Sequence, residues 1–214
     1  MKPCFLLPVF AAFALAASAL AQSVEVFSAN WGTSSPAFSD PISLGMFDSN
    51  LGTLASVSLA IDSTVTGDIS AFNSTGVQQS FTNATAELDV TLTGPGGATV
   101  TTHPTAGIAS GQANPGSNDF AGLTGSDSGS FSGSPLSLYE LAGGGTFGSM
   151  VSASDIGSYL GTANSGVFFG GTATASGDVT VTYTFTPVPE PAAYAAFIGA
   201  AALVLAIRRR HAAC

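Results

Sequence analysis

Apolar and polar residues alternate strictly through three stretches of this chain. In 54–62 (LASVSLAID), Val57, Leu59 and Ile61 share one face, and Ser56, Ser58, Ala60 and Asp62 share the other. In 83–94 (NATAELDVTLTG), Ala84, Ala86, Leu88, Val90 and Leu92 alternate with Thr85, Glu87, Asp89, Thr91 and Thr93. In 178–187 (DVTVTYTFTP), Val179, Val181, Tyr183 and Phe185 alternate with Thr180, Thr182, Thr184 and Thr186. A period of two with β-branched residues predicts half-buried strands, each with one core face and one Ser/Thr-rich solvent face.

Turn-forming clusters punctuate these runs: GPGG at 94–97, NPGSND at 114–119 and GGG at 143–145. The spacing allows a short helical turn in 134–143 (SPLSLYELAG) and another in 152–161 (SASDIGSYLG). The Gly/Ser-rich stretch 114–133 is weakly patterned and is expected to be a long loop or a loose edge. Many strands, short turns and no long helix between the two ends predict an all-β fold. The expected architecture is a single antiparallel β-sandwich or jelly-roll-like domain over 22–187.

Charge narrows the function. The 214 residues include 13 acidic and 4 basic side chains. The basic ones are Lys2, Arg208, Arg209 and Arg210, so the chain between them carries every acid and no Lys or Arg. Nucleic-acid binding needs clustered cations against phosphates and is not expected. Hydrophobic residues make up 45% and charged residues 8%, a folded composition whose polar surface is mostly uncharged. That surface would stay soluble among polyanions, and its acids are open to cross-linking by divalent cations.

Both ends read as addresses. Lys2, the apolar run 5–17 and the small-x-small box Ala19-Leu20-Ala21 predict a signal peptide, cut after Ala21 by signal peptidase. At the other end, 192–207 has no charge and is followed by Arg208, Arg209 and Arg210. Arginines directly after an apolar run predict a stop-transfer helix with the basic tail cytoplasmic and the domain outside the inner membrane. The cysteines, Cys4 and Cys214, fall in the two ends, so the processed chain offers no disulfide and no Cys-based metal site.

The tail, with Pro189-Glu190-Pro191, the apolar segment 192–207 and Arg208–Arg209–Arg210 in that order, resembles the PEP-CTERM sorting signal of Gram-negative bacteria. The resemblance implies recognition by an exosortase, a membrane protease-transpeptidase that processes the tail near the Pro-Glu-Pro motif. It also implies an association with exopolysaccharide and biofilm matrix. It covers the last residues only. Upstream, Phe47, Asp48, Leu51, Gly52, Thr53, Leu54 and Val57, with the final strand from Thr180 into Pro191, are similar to the choice-of-anchor domain, type E. That family implies no catalytic residues.

Candidate chemistry in the domain is thin. His103 is the one histidine between the two ends and sits before Pro104, which reads as a loop. His103, Asp119 and Ser128 stand in a triad-like order but lack the G-x-S-x-G elbow, because Asp127 holds the central position of GSDSG. Glu87 and Asp89 fall on one exposed strand face and read as surface rather than a glycosidase pair. Loop oxygens of Asp119 and Asp127 are the calcium candidates, without EF-hand spacing. Trp31 reads as a buried anchor. Asn73 and Asn83 begin N-x-[ST] sequons.

No enzyme, cofactor or metal site is expected. The expected function is a non-catalytic surface or matrix protein. The alternative is a carbohydrate-binding module, or a cryptic glycosidase, which would require Trp31, Tyr139 and Tyr159 to line one exposed face.

Overall fold

The computed structural model describes residues 22–35, 37–153, 156–188 and 191–212. Twelve strands run in chain order: β1 (Ser23–Ser34), β2 (Phe38–Asp48), β3 (Gly52–Asn73), β4 (Gln79–Leu88), β5 (Val90–Thr93), β6 (Thr99–Thr102), β7 (Thr105–Ala113), β8 (Gly116–Ser132), β9 (Glu140–Leu141), β10 (Gly145–Ala153), β11 (Ile156–Ala163) and β12 (Val167–Pro187). A helix, α1 (Pro191–Ala212), follows. The fold is all-β and antiparallel, apart from a two-residue parallel pairing of β2 with β9.

One layer is a continuous spine. Its four strands lie in the order β1-β12-β3-β8. β3 has 22 residues and β12 has 21, so the spine is about 70 Å long at about 3.3 Å per residue. Period-two alternation runs along β3 from Ser56 onward; at its start, Ala55 and Ser56 are both exposed and the pairing with β12 shifts by one residue between Thr184 and Phe185. Val57, Leu59, Ile61, Val65, Ile69 and Ala71 of β3 are buried, while Ser58, Asp62, Thr66 and Asp68 face out.

The second layer is divided. A five-stranded sheet, β6-β5-β10-β2-β9, covers one half of the spine, and a three-stranded sheet, β11-β4-β7, covers the other. Each half has its own core. The larger contains Leu59, Ile61, Val90, Leu92, Val151 and Val181, and Phe47 and Phe185 pack there at 4.8 Å between ring centroids. The smaller is built on Ile69, Phe81 and the alanines 71, 84, 86 and 113. Phe81 meets Phe120 and Phe169 there in edge-on contacts at 5.3 and 5.6 Å. Leu123 of β8 packs against both cores.

The stretch 83–94 is not one strand. Ala84, Ala86, Leu88, Val90 and Leu92 are all buried, as the alternation requires. The strand nevertheless breaks at Asp89, and β4 and β5 belong to different sheets. Of the two expectations for 114–133, a long loop or a loose edge, the edge holds: the stretch contains the 17-residue edge strand β8, paired along β3. The helical turn expected in 134–143 is present as a 3-10 turn at Leu136–Leu138. The one expected in 152–161 is replaced by β11. The glycine cluster turns as expected, with Gly143 and Gly144 at φ 85° and 75°, where other residues would be strained.

Ala19 and Ala21, expected to mark signal-peptide cleavage, lie outside the described residues, as do Pro189 and Glu190 of the expected sorting motif. α1 starts at Pro191, where a proline suits the first helical position. A helix covers the run 192–207 as expected, but its membrane-spanning character is not borne out. Among the described residues no helix is long and apolar enough to cross a membrane. The uncharged run 192–207 is rich in alanine and about 24 Å long at about 1.5 Å per residue, short of a hydrocarbon core of about 30 Å.

Candidate functional site

The break in the second layer gathers the domain's chemistry. β4 pairs with β7 and β5 with β6 in one uninterrupted hairpin register. Gln79 faces Ala113 and Glu87 faces Thr105; Val90 faces Thr102 and Thr93 faces Thr99. The same register carried across the break sets Asp89 opposite His103. The hairpin therefore bends from one sheet into the other at these residues without slipping. Leu88 N–H donating to the Pro104 carbonyl at 3.3 Å holds the bend.

Polar groups fill this seam. His103 Nδ1 and Asp89 Oδ1 are 2.6 Å apart. The His103 main-chain N–H, turned out of the hairpin, donates to Asp127 Oδ2 at 2.8 Å. The hydrogen bond to Asp89, aided by the charges of Asp89, Glu87 and Asp127, raises the His103 pKa above its ordinary value. Asp127 is held below the usual carboxylate range by the N–H groups of His103 and Ser128. Glu87, Asp89 and His103 each present a ligand atom, and all of these atoms lie within 4.8 Å of one another. Beneath them, buried Ser63 and Thr102 share a hydroxyl hydrogen bond of 2.7 Å.

The outer face of the spine is the second feature. Rows of hydroxyls cross it, such as Thr182–Ser58–Ser132 and Thr174–Thr66–Thr124. Asp178 stands directly opposite Asp62. Near the end of the spine that the three-stranded sheet covers, Phe168 faces Phe72, and the two are 61% and 49% exposed.

The other residues singled out in the sequence do not converge. Trp31 is buried and stacks on Phe38 at 5.4 Å, as an anchor does. Tyr139 is fully buried and Tyr159 is half-buried, so the three rings do not form an exposed sugar platform. Asp119 and Ser128 are nine residues apart on β8, about 30 Å at about 3.3 Å per residue, and the His103 ring is paired with Asp89. The triad is not assembled. Asp119 is exposed opposite Ser70, whereas Asp127, also exposed, pairs with Ser63 eight residues further along β8, so these two carboxylates do not share a calcium site.

Asn73 is buried and its amide donates to Val77 and Ala113 carbonyls, which removes it as a sequon. Asn83 is exposed. Arg208 and Arg209 stand exposed near the end of α1, and Arg210 follows in the same helix. The seam pair was readable: a hairpin turning at Gly94–Gly97 and pairing Val90 with Thr102 must bring Asp89 to His103.

No protein-family model matches the chain, and no curated protein matches it. A solved chain from "Structure of infectious bursal disease virus Gt strain" aligns at 15% identity, over 88% of this chain and 48% of its own, with a TM-score of 0.15. The chain thus spans about half the length of the solved chain it matches. A likeness at that TM-score carries no argument about fold or function.

Proposed function

We propose that the chain is an exported, non-catalytic surface or matrix protein, carried to the envelope by its tail and handed to an exosortase there. The observation that carries this reading is the state of α1. Ile198, Leu203, Val204, Leu205 and Ile207 are between 40% and 70% exposed. At about 100° per residue they point to all sides of the axis. A helix apolar all round needs an apolar surround, and none of these side chains is buried by the rest of the chain. Arg208–Arg209–Arg210 at its end would anchor it at the cytoplasmic face of the inner membrane. With a span this short, the helix would tilt little and draw the bilayer thin, which suits a transient intermediate more than a lasting anchor.

Fractionation of native-host cells tests this reading. Protein expressed from the full-length sequence is expected, after processing, in the envelope and matrix fractions, and a variant truncated after Val188 is expected in the periplasm or medium. Equal distribution of the two would refute the sorting role of the tail.

A second reading, carbohydrate binding, is favoured by one observation: the exposed Phe72–Phe168 pair on a hydroxyl-rich face, where a sugar ring can stack. It expects retention of the protein on host exopolysaccharide, lost in Phe72→Ala and Phe168→Ala. Unchanged retention in both would exclude that pair as the binding surface.

A further inference from the structure

We propose that Glu87, Asp89 and His103 form a binding site for a divalent transition ion of the zinc class, seated where the hairpin bends between the two sheets of the second layer. The three ligand atoms already lie within 4.8 Å of one another. Zinc–ligand bonds of about 2.0–2.1 Å place ligand atoms about 3.4 Å apart in a tetrahedron. His103 Nδ1 and Asp89 Oδ1, 2.6 Å apart, have to open by about 0.8 Å as the ion replaces their proton, and side-chain torsions, Glu87's three among them, have to close a gap of under about 1.5 Å elsewhere in the set. His103 and Asp89 are exposed, so an ion has open access.

The donor set decides the kind of ion. One imidazole nitrogen with two carboxylate oxygens suits zinc and its neighbours, whereas calcium and magnesium take all-oxygen shells. Three protein ligands leave a fourth position for water. On binding, the ion displaces the proton shared between His103 Nδ1 and Asp89 Oδ1, and that proton leaves to solvent. Two carboxylates and a neutral imidazole then balance the charge of the ion.

Two further observations point to an ion here. The chain between Lys2 and Arg208 has no Lys or Arg, and among the described residues 22–188 His103 is the only side chain able to carry positive charge. The His103 backbone is also fixed independently, by its N–H to Asp127 Oδ2 at 2.8 Å, so the main chain that carries the ring is set before any ion arrives. The consequence is structural. Glu87 belongs to β4, Asp89 to the β4–β5 break and His103 to the β6–β7 break. An ion joining them would lock the bend and tie the three-stranded sheet to the five-stranded one.

The test is titration of the metal-free, tag-free full chain in detergent with zinc chloride, followed by calorimetry and thermal melting. One equivalent is expected to bind with micromolar affinity and to raise the melting temperature. His103→Gln and Asp89→Asn are each expected to weaken binding by about tenfold or more while leaving the far-ultraviolet β spectrum unchanged. The double variant Cys4→Ser/Cys214→Ser and the variant His211→Ala are expected to bind like the wild type. The proposal is overturned by absence of saturable binding up to about 1 mM zinc, by full binding in His103→Gln, by loss of binding in the cysteine or His211 variants, or by displacement with an equal amount of calcium.

Discussion

Replacing Ser63 with alanine opens the polar strap that joins the spine to the second layer. Ser63 and Thr102 are each 1% exposed. Their hydroxyls meet at 2.7 Å, Ser63 reaches the Asp127 carbonyl at 3.1 Å, and Thr102 reaches the Val90 carbonyl at 3.3 Å. Two protons serve three contacts, so one of two arrangements holds at any moment. Either Thr102 donates to Ser63 and Ser63 to Asp127, or Ser63 donates to Thr102 and Thr102 to Val90.

Ser63→Ala removes two of the contacts but leaves Thr102 its donation to Val90. A net hydrogen bond is worth about 0.5–1.5 kcal/mol, and a stranded buried group costs about 1–3. The expected loss is therefore about 1–2 kcal/mol. Thr102→Val should cost a similar amount, because Ser63 keeps its donation to Asp127. In the double variant no side-chain hydroxyl is left stranded. Its cost should fall short of the sum by about 1 kcal/mol, a coupling that non-contacting sites do not show. Urea unfolding of the four proteins reads this directly. Additive losses, or a single-variant loss under about 0.3 kcal/mol, would refute the strap.

Three further outcomes follow from the packing. A Cβ at Gly125 would come within 1.9 Å of the Thr105 carbonyl oxygen, so Gly125→Ala should cost about 3 kcal/mol, while Gly148→Ala, with nothing within 4 Å, should change stability by under about 0.5 kcal/mol in urea melts. Tyr183 donates its hydroxyl to the Gly45 carbonyl at 2.7 Å, and burial, with the Glu25 charge behind it, raises the phenol above its ordinary value; Tyr183→Phe should cost about 1–2 kcal/mol, and ultraviolet titration of that variant should show one fewer tyrosine ionising only on alkaline unfolding than the wild type. Asp48 accepts N–H bonds from Asn50 and Gly143 that lower its pKa. Its contribution is present above the ordinary carboxylate value of about 3.9 and is lost as pH falls through the lowered folded value, so Asp48→Asn should flatten the acid limb of a stability–pH curve, and an unchanged limb would contradict the assignment.

What the sequence conveyed, and what it hid, has a physical basis. The first half of β3 and the last half of β12 were legible because a spine with one wet face forces alternation, and Val57, Leu59, Ile61, Val179 and Val181 obey it; 63–73 and 167–177 were not read as strands. β8 was not, because its inward positions include Gly125 and Gly129. A Cβ at Gly125 would strike Thr105, and one at Gly129 would come within 2.7 Å of Val100. The second layer approaches so closely there that glycine replaces the apolar residues that would have marked a strand. The break at Asp89 was hidden for the opposite reason: alternation runs through it undisturbed, since Leu88 and Val90 are both buried. Residue spacing reports which face is buried but not which sheet buries it. His103 looked isolated because its partner lies 14 positions away, and only the hairpin register connects them. The reading of Pro189, Glu190 and the arginines as a sorting tail rests on their order along the chain alone, which owes nothing to the packed domain.

The most direct test of the sorting role is the intact mass of the protein recovered from the envelope and medium of its native host. The expected species begins near Gln22 and ends near Pro189–Pro191, with the apolar helix and Arg208–Arg210 removed. A recovered chain that still carries α1 through Cys214 would contradict exosortase processing and leave a lasting single-pass anchor in its place.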